Sequence, residues 1–220
     1  MALSRSLLIA LLLSLAGCQS FFADRAPSRV ATERLQGELR QVDGQLQFQS
    51  CQGQRLLNLL EGKTGLQEEV QALVIGRQDR LFADLRGTLS QARPNETGQF
   101  ALTRVYRLQR EGHGCGEENF KHLILRASGH EPGWTVNVTS RGMLLTRPGQ
   151  EPVALPYLEE QLPGGQLSFT SEANAQQLDL WVAPQRCVDG MSGAVNHLSA
   201  ELRLDGQVLR GCAHFGAMRN

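Results

Sequence analysis

Gln41-Val42-Asp43-Gly44-Gln45-Leu46-Gln47-Phe48-Gln49-Ser50 is the stretch from which the fold is read. Leu46, Phe48 and Ser50 alternate with Gln45, Gln47 and Gln49, the period of a strand with one face buried. Asp43-Gly44 ahead of them is a strong two-residue hairpin signal. Working outward, Leu35, Gly37, Leu39 and Gln41 form the partner strand, and Arg55–Leu60 forms a third. Thr64-Gly65-Leu66-Gln67 has the form of a capping box, and Leu66, Val70, Leu73 and Val74 then share one helical face. Alternation returns over Arg80–Leu89. Pro94-Asn95-Glu96-Thr97-Gly98 is a turn cluster, and Gln99–Leu108 is a fifth strand. Three strands, a helix and two strands is the order of the OB-fold, a small Greek-key barrel. The helical stripe is read as the plug of that barrel.

Gly112-His113-Gly114-Cys115-Gly116 is a glycine-rich exit from this unit and lacks the Lys-Ser/Thr of a phosphate loop. Beyond Phe120 short strands recur: Lys121–Ala127, Trp134–Thr139, Met143–Arg147, Glu151–Tyr157, Gln166–Thr170, Leu178–Ala183, Asn196–Leu204 and Gln207–Cys212. Asp205-Gly206 joins the last two as a second hairpin. The fold class expected is therefore mainly β. An OB-like five-stranded barrel with one helix spans residues 34–112, and a small antiparallel barrel or sandwich spans 118–220.

The charges balance, with 22 Lys+Arg against 22 Asp+Glu, so no basic footprint for a phosphate backbone exists and nucleic acid is not an expected partner. Eight Phe, two Trp and two Tyr argue against a large aromatic-lined pocket. The N-terminus decides the compartment. Arg5 precedes an apolar run, Ser6–Leu15, that is shorter than the about 20 residues a spanning helix needs. The run ends in Leu15-Ala16-Gly17-Cys18, which resembles a bacterial lipobox. That resemblance implies a signal peptide over 1–17 and an acylated Cys18, palmitate included. More than one acyl chain on a residue gives stable anchoring. Gln19 rather than Asp after the Cys implies, by the sorting rule of such lipoproteins, the outer membrane with the chain facing the periplasm. Residues 18–33 are then a lipidated flexible tether.

Setting Cys18 aside leaves Cys51, Cys115, Cys187 and Cys212, an even number that in an oxidising compartment reads as two disulfides. Of the three pairings, Cys51–Cys115 with Cys187–Cys212 keeps each bridge inside one of the two units. Each such bridge would contribute roughly 3–4.5 kcal/mol by loop-closure entropy. No C-x-x-C and no H-x-x-x-H spacing occurs, so neither metal nor other cofactor is expected.

The region Gln36–Leu108, with Gly37-Glu38-Leu39, Cys51 and the Thr64–Val74 helix, resembles the OB-type domain of the NlpE (CutF) lipoproteins. The C-x-x-C amino-terminal domain of that family is absent, and a copper role with it. Gly129-His130-Glu131-Pro132-Gly133-Trp134 resembles a G-N-E-P-F-W element, Cys187-Val188-Asp189-Gly190-Met191-Ser192 resembles a C-x-D-G-M-S element, and Gly211-Cys212 closes the pattern. Together these resemble a family of bacterial envelope lipoproteins akin to small lysozyme-inhibitor and heat-shock lipoprotein barrels. His130 stands for Asn and Gly133 for Phe, so the loop chemistry differs here. The resemblance implies architecture and location, not a reaction.

Asp189, Ser192 and His197 fall within nine residues and have the composition of a hydrolytic triad. Gly190-Met191-Ser192-Gly193 is not a nucleophile elbow, however. Asp189 and Ser192 read more simply as side chains bonding the turn backbone. Glu131 and Trp134 flank a Pro-Gly turn and read either as a partner contact or as a barrel cap. The candidate contacts are thus Glu131, Trp134, Asp189, Met191 and Ser192, with no catalytic residue. The expectation is a non-enzymatic outer-membrane lipoprotein whose β modules bind an envelope protein or glycan. The alternative is an inhibitor of a lysozyme-like cell-wall hydrolase.

Overall fold

Asp43 and Gly44 take positive φ, 49° and 79°, as a two-residue hairpin turn requires, and join β1 (Glu33–Val42) to β2 (Gln45–Ser50). The computed structural model describes residues 31–53, 55–74, 80–90, 97–173 and 176–219. The expected export signal, Cys18 and most of the expected tether lie outside the described residues, as do Pro94, Asn95 and Glu96. Thr32–Asn220 form one compact unit. Among the described residues no helix is long and apolar enough to cross a membrane.

The first barrel continues with β3 (Leu56–Leu60), helix α1 (Leu66–Leu73), β4 (Leu81–Ser90) and β5 (Gly98–Gln109). Its strands run β1-β2-β3-β5-β4 and back to β1, with β3 parallel to β5 and the other pairs antiparallel, which closes the barrel in OB order. β1 serves both β2 and β4, and Gly37 lies where it bends between them. A Cβ there would sit 2.2 Å from the Gln49 carbonyl oxygen and 2.6 Å from the Phe48 ring, so only glycine fits. Inward residues Leu39, Phe48, Leu57, Leu85 and Phe100 fill the interior, and α1 plugs it with Leu66, Val70 and Leu73. The expected capping box does not form. Thr64 Oγ1 donates to the Glu61 carbonyl, and the Glu61 carboxylate accepts from the Gln67 N–H at 3.0 Å, so the acid comes from before the helix. Gly65, with φ 71°, turns the chain away from a Thr64 cap.

The second half builds a curled, wholly antiparallel sheet. It comprises β6 (Leu123–His130), β7 (Gly133–Thr139), β8 (Gly142–Thr146), β9 (Val153–Leu155), β10 (Leu158–Leu162), β11 (Gln166–Ala173) and β12 (Gln176–Ala183). After the short β13 (Cys187–Val188) and β14 (Val195–Asn196) come β15 (Leu198–Leu204) and β16 (Gln207–Phe215). The order is β10-β11-β12-β15-β16-β6-β7-β8-β9 around a core that includes Trp134, Val136, Phe169, Leu180 and Leu202. The strand expected over Glu151–Tyr157 is the shorter β9, and β10 follows beyond it, where no strand was expected. The strand expected from Asn196 breaks at His197, whose N–H bonds the Tyr106 carbonyl.

β13 and β14 do not join the second sheet. β14 pairs with β5, Val195 opposite Leu108, so the chain returns from its second half to extend the first sheet. The disulfides are Cys51–Cys115 and Cys187–Cys212. The second links β13 of the first sheet to β16 of the second, and is a staple between sheets rather than within one. Buried polar groups complete the junction. Arg34 donates to both oxygens of Asp84 (2.8 and 2.7 Å) and to the carbonyls of Phe215, Gly216 and Arg219. Arg107 on β5 bonds Glu117 and the ring of His214 on β16, and Arg126 on β6 pairs with Glu117 as well.

Candidate functional site

The outer face of the second sheet carries a groove of about 1130 Å³, walled on one side by the Gln185–Met191 segment. Its floor follows from strand periodicity. In β12, Leu178, Leu180 and Val182 face the core, so Asp179, Trp181 and Ala183 face out. Register then sets Trp181 between Ser168 and Glu201, Glu201 opposite Arg210, and Arg203 between Asp179 and Val208. The wall stays over this floor because the Cys187–Cys212 bridge ties it to β16. Arg186 adds a second tie, donating to both carboxylate oxygens of Glu69 on α1.

Asp189 organises the wall. Its Oδ1 accepts from the N–H of Met191 (3.1 Å), the N–H of Ser192 (2.8 Å) and the hydroxyl of Ser192 (2.8 Å). Its Oδ2 lies 2.6 Å from His130 Nε2, at the end of β6. Burial opposes ionisation of this carboxyl, but the hydrogen bonds from Ser192 and His130 outweigh it and hold its pKa below the ordinary carboxylate value. The backbone closes the same turn, with Asp189 N–H on the Ala194 carbonyl and Gly193 N–H on that of Asp189. Asp189→Ala is expected to remove these side-chain bonds and cost about 1–3 kcal/mol. Hydrogen exchange checks it: the Met191 and Ser192 amides should exchange faster, with β15 amides unchanged.

The structure brings the two sequence elements to one rim, since His130 of the first bonds Asp189 of the second. Within them the candidates separate. Glu131 is exposed at the groove edge, whereas Trp134 is 2% exposed and belongs to the second core, so it touches no partner. Gly129 lies opposite it in register, and a Cβ there would come within 2.5 Å of the indole nitrogen. Met191 is 76% exposed at the turn tip. Asp189, Ser192 and His197 do not assemble as a triad. The Ser192 hydroxyl donates to Asp189 itself, and His197 packs between the rings of Tyr106 and Phe215 with Nδ1 on the Tyr106 carbonyl.

Sequence reasoning passed over Trp181, Glu201, Arg203 and Arg210. A signal existed: Trp181 falls in the outward phase of an alternating strand, where an indole is out of place. Among the described residues no group of His, Cys, Asp and Glu could hold a metal ion. No protein-family model matches the chain, and no curated protein or solved structure matches it.

Proposed function

We propose that this chain is a non-enzymatic lipoprotein of the outer membrane, held through acylated Cys18 and facing the periplasm, that binds a protein or glycan of the cell envelope. The observation that carries the reading is the wall itself. A turn fixed by Asp189, by a disulfide and by His130 borders a groove with Trp181, Val188, Met191 and Val208 exposed around it. A loop ordered in advance loses little further entropy on binding, which favours recognition over mere surface exposure. Glu131, Asp189, Met191 and Ser192 are the contact or positioning residues in this reading, which invokes no cofactor, metal or nucleic acid. The lipobox and the resemblance to envelope lipoproteins support the compartment.

Two measurements test it. Mass spectrometry of the mature protein should find acylated Cys18, and an unmodified Cys18 contradicts the anchor. In detergent, which releases the acyl anchor from the bilayer, the full chain should sediment with insoluble envelope material, with Met191→Asp or Val208→Asp weakening the association and Leu158→Asp, on the exposed edge strand β10, leaving it intact. Equal binding by all three variants contradicts the groove. A second reading, inhibition of a lysozyme-like wall hydrolase, is favoured by the exposure of Met191 at the tip of a rigid turn, a shape suited to entering a cleft. Inhibition of a muramidase that Met191→Asp abolishes would select it.

A further inference from the structure

Resting on that reading of the groove, we infer that its occupant is a neutral oligosaccharide strand, with sugar ring faces on Trp181 and hydroxyls bonded by Glu201, Arg203 and Arg210. The charges on the groove lining balance, three arginines against three carboxylates. Most are also engaged in pairs: Arg203 lies 3.0 Å from one oxygen of Glu201, Arg210 lies 3.8 Å from the other, Arg186 holds Glu69 beyond the groove, and Asp189 holds His130. A polyanion or a polycation therefore finds no net charge to meet. Hydrogen-bonding capacity remains in excess. A guanidinium has five N–H donors and a carboxylate about four acceptor positions, and these pairs use only a fraction of them. Arg203 is nearly half exposed and Arg210 mostly so, so the spare donors face the groove. Planar, two-pronged groups of this kind match the adjacent hydroxyls of a sugar.

The indole supplies the complementary apolar surface. Trp181 is 42% exposed, and the Arg203 guanidinium lies 4.8 Å from its ring centroid, which steadies the ring on a rigid sheet. The arrangement differs from the core of a protein–protein interface, which is depleted of charged residues. Here the floor interleaves the Glu201–Arg203–Arg210 ion pairs with Trp181 and Val208, and Met191, the most exposed apolar side chain of the groove, stands on the wall. At about 1130 Å³ and open, the groove exceeds the roughly 300–1,000 Å³ of small-molecule clefts and suits a segment of a chain.

The chain carries its own reporter, because Trp134 is buried and Trp181 is the exposed tryptophan. The full-length protein in detergent is titrated with tetramers of N-acetylglucosamine, of β-1,4-glucose and of α-1,4-glucose while tryptophan emission is followed. At least one tetramer is expected to give a saturable blue shift. Trp181→Phe should retain binding measured by calorimetry. Trp181→Ala, at an exposed position that leaves the melt unchanged, should weaken it about tenfold or more. No saturable response to any tetramer up to about 10 mM overturns the glycan assignment, as does binding that Trp181→Ala leaves unaltered. The envelope sedimentation described above separates the two claims. If Met191→Asp and Val208→Asp still reduce it while no tetramer binds, the oligosaccharide falls and the groove stands. If neither responds, both fall.

Discussion

Trp134→Ala is expected to cost about 3–5 kcal/mol, a large part of the stability of a domain this size. The indole is 2% exposed and packs with Val136, Phe169, Leu180 and Leu202, and the chain opposite is held close by Gly129, so neither strand can move in to fill the space. The cavity would remain, and its cost adds to the lost transfer energy. Chemical denaturation measures it directly. A midpoint shift with an unchanged slope is the expected result. An unshifted midpoint would mean that the indole is not part of the core. Because the side chain faces away from the groove, envelope association per folded molecule should be unchanged.

Acidification is expected to destabilise the protein by several kcal/mol between pH 6.5 and 4, through His197 and His214. Burial comes first among the causes for both. His197 is brought down to about 4 despite its bond to the Tyr106 carbonyl, with Arg34 and Arg104 adding to the shift. His214 is held well below the usual imidazole value, with Arg107 and Arg126 beside it. Arg107 donates to Nε2 of His214, so the ring keeps its proton on Nδ1, which faces the Asn196 side-chain oxygen at 3.2 Å. The sign follows from the depressed values. The folded protein keeps both rings neutral, while the unfolded chain takes up protons below about pH 6.5. Stability is therefore full above pH 6.5 and falls as the pH drops, until the folded His197 itself titrates near 4. His197 alone accounts for roughly 3 kcal/mol of this. His214→Gln, which retains an acceptor for Arg107 and a donor for Asn196, should flatten the pH dependence of the urea midpoint. An unchanged slope would show that the His214 ring does not contribute to it.

Legibility in the sequence followed locality. Asp43-Gly44, the alternation through Phe48 and the Leu66–Val70–Leu73 stripe are signals within a few residues, and each element formed where expected. β13 and β14 are two-residue strands with no period to read, and the pairing of β14 with β5 joins residues nearly ninety apart. His214 lies in the outward phase of β16, between the inward Ala213 and Phe215, and is buried only because the first sheet covers it. Its environment was therefore invisible until both sheets were in place. The Asp189 turn was recognisable from residue types, but its bond to His130, fifty-nine residues away, was not. Trp181, alone among the floor residues passed over, left a trace in the pattern.

The most direct test places a photo-activatable cross-linking residue at Val208 on the groove floor, or at Met191 on its wall, in cells expressing the full chain. Leu60 and Leu158, both exposed apolar positions elsewhere, serve as comparisons. Adducts of higher mass, protein or carbohydrate, should form from Val208 and Met191 and be absent from Leu60 and Leu158. Adducts from Leu60 or Leu158 with none from the groove would contradict the account.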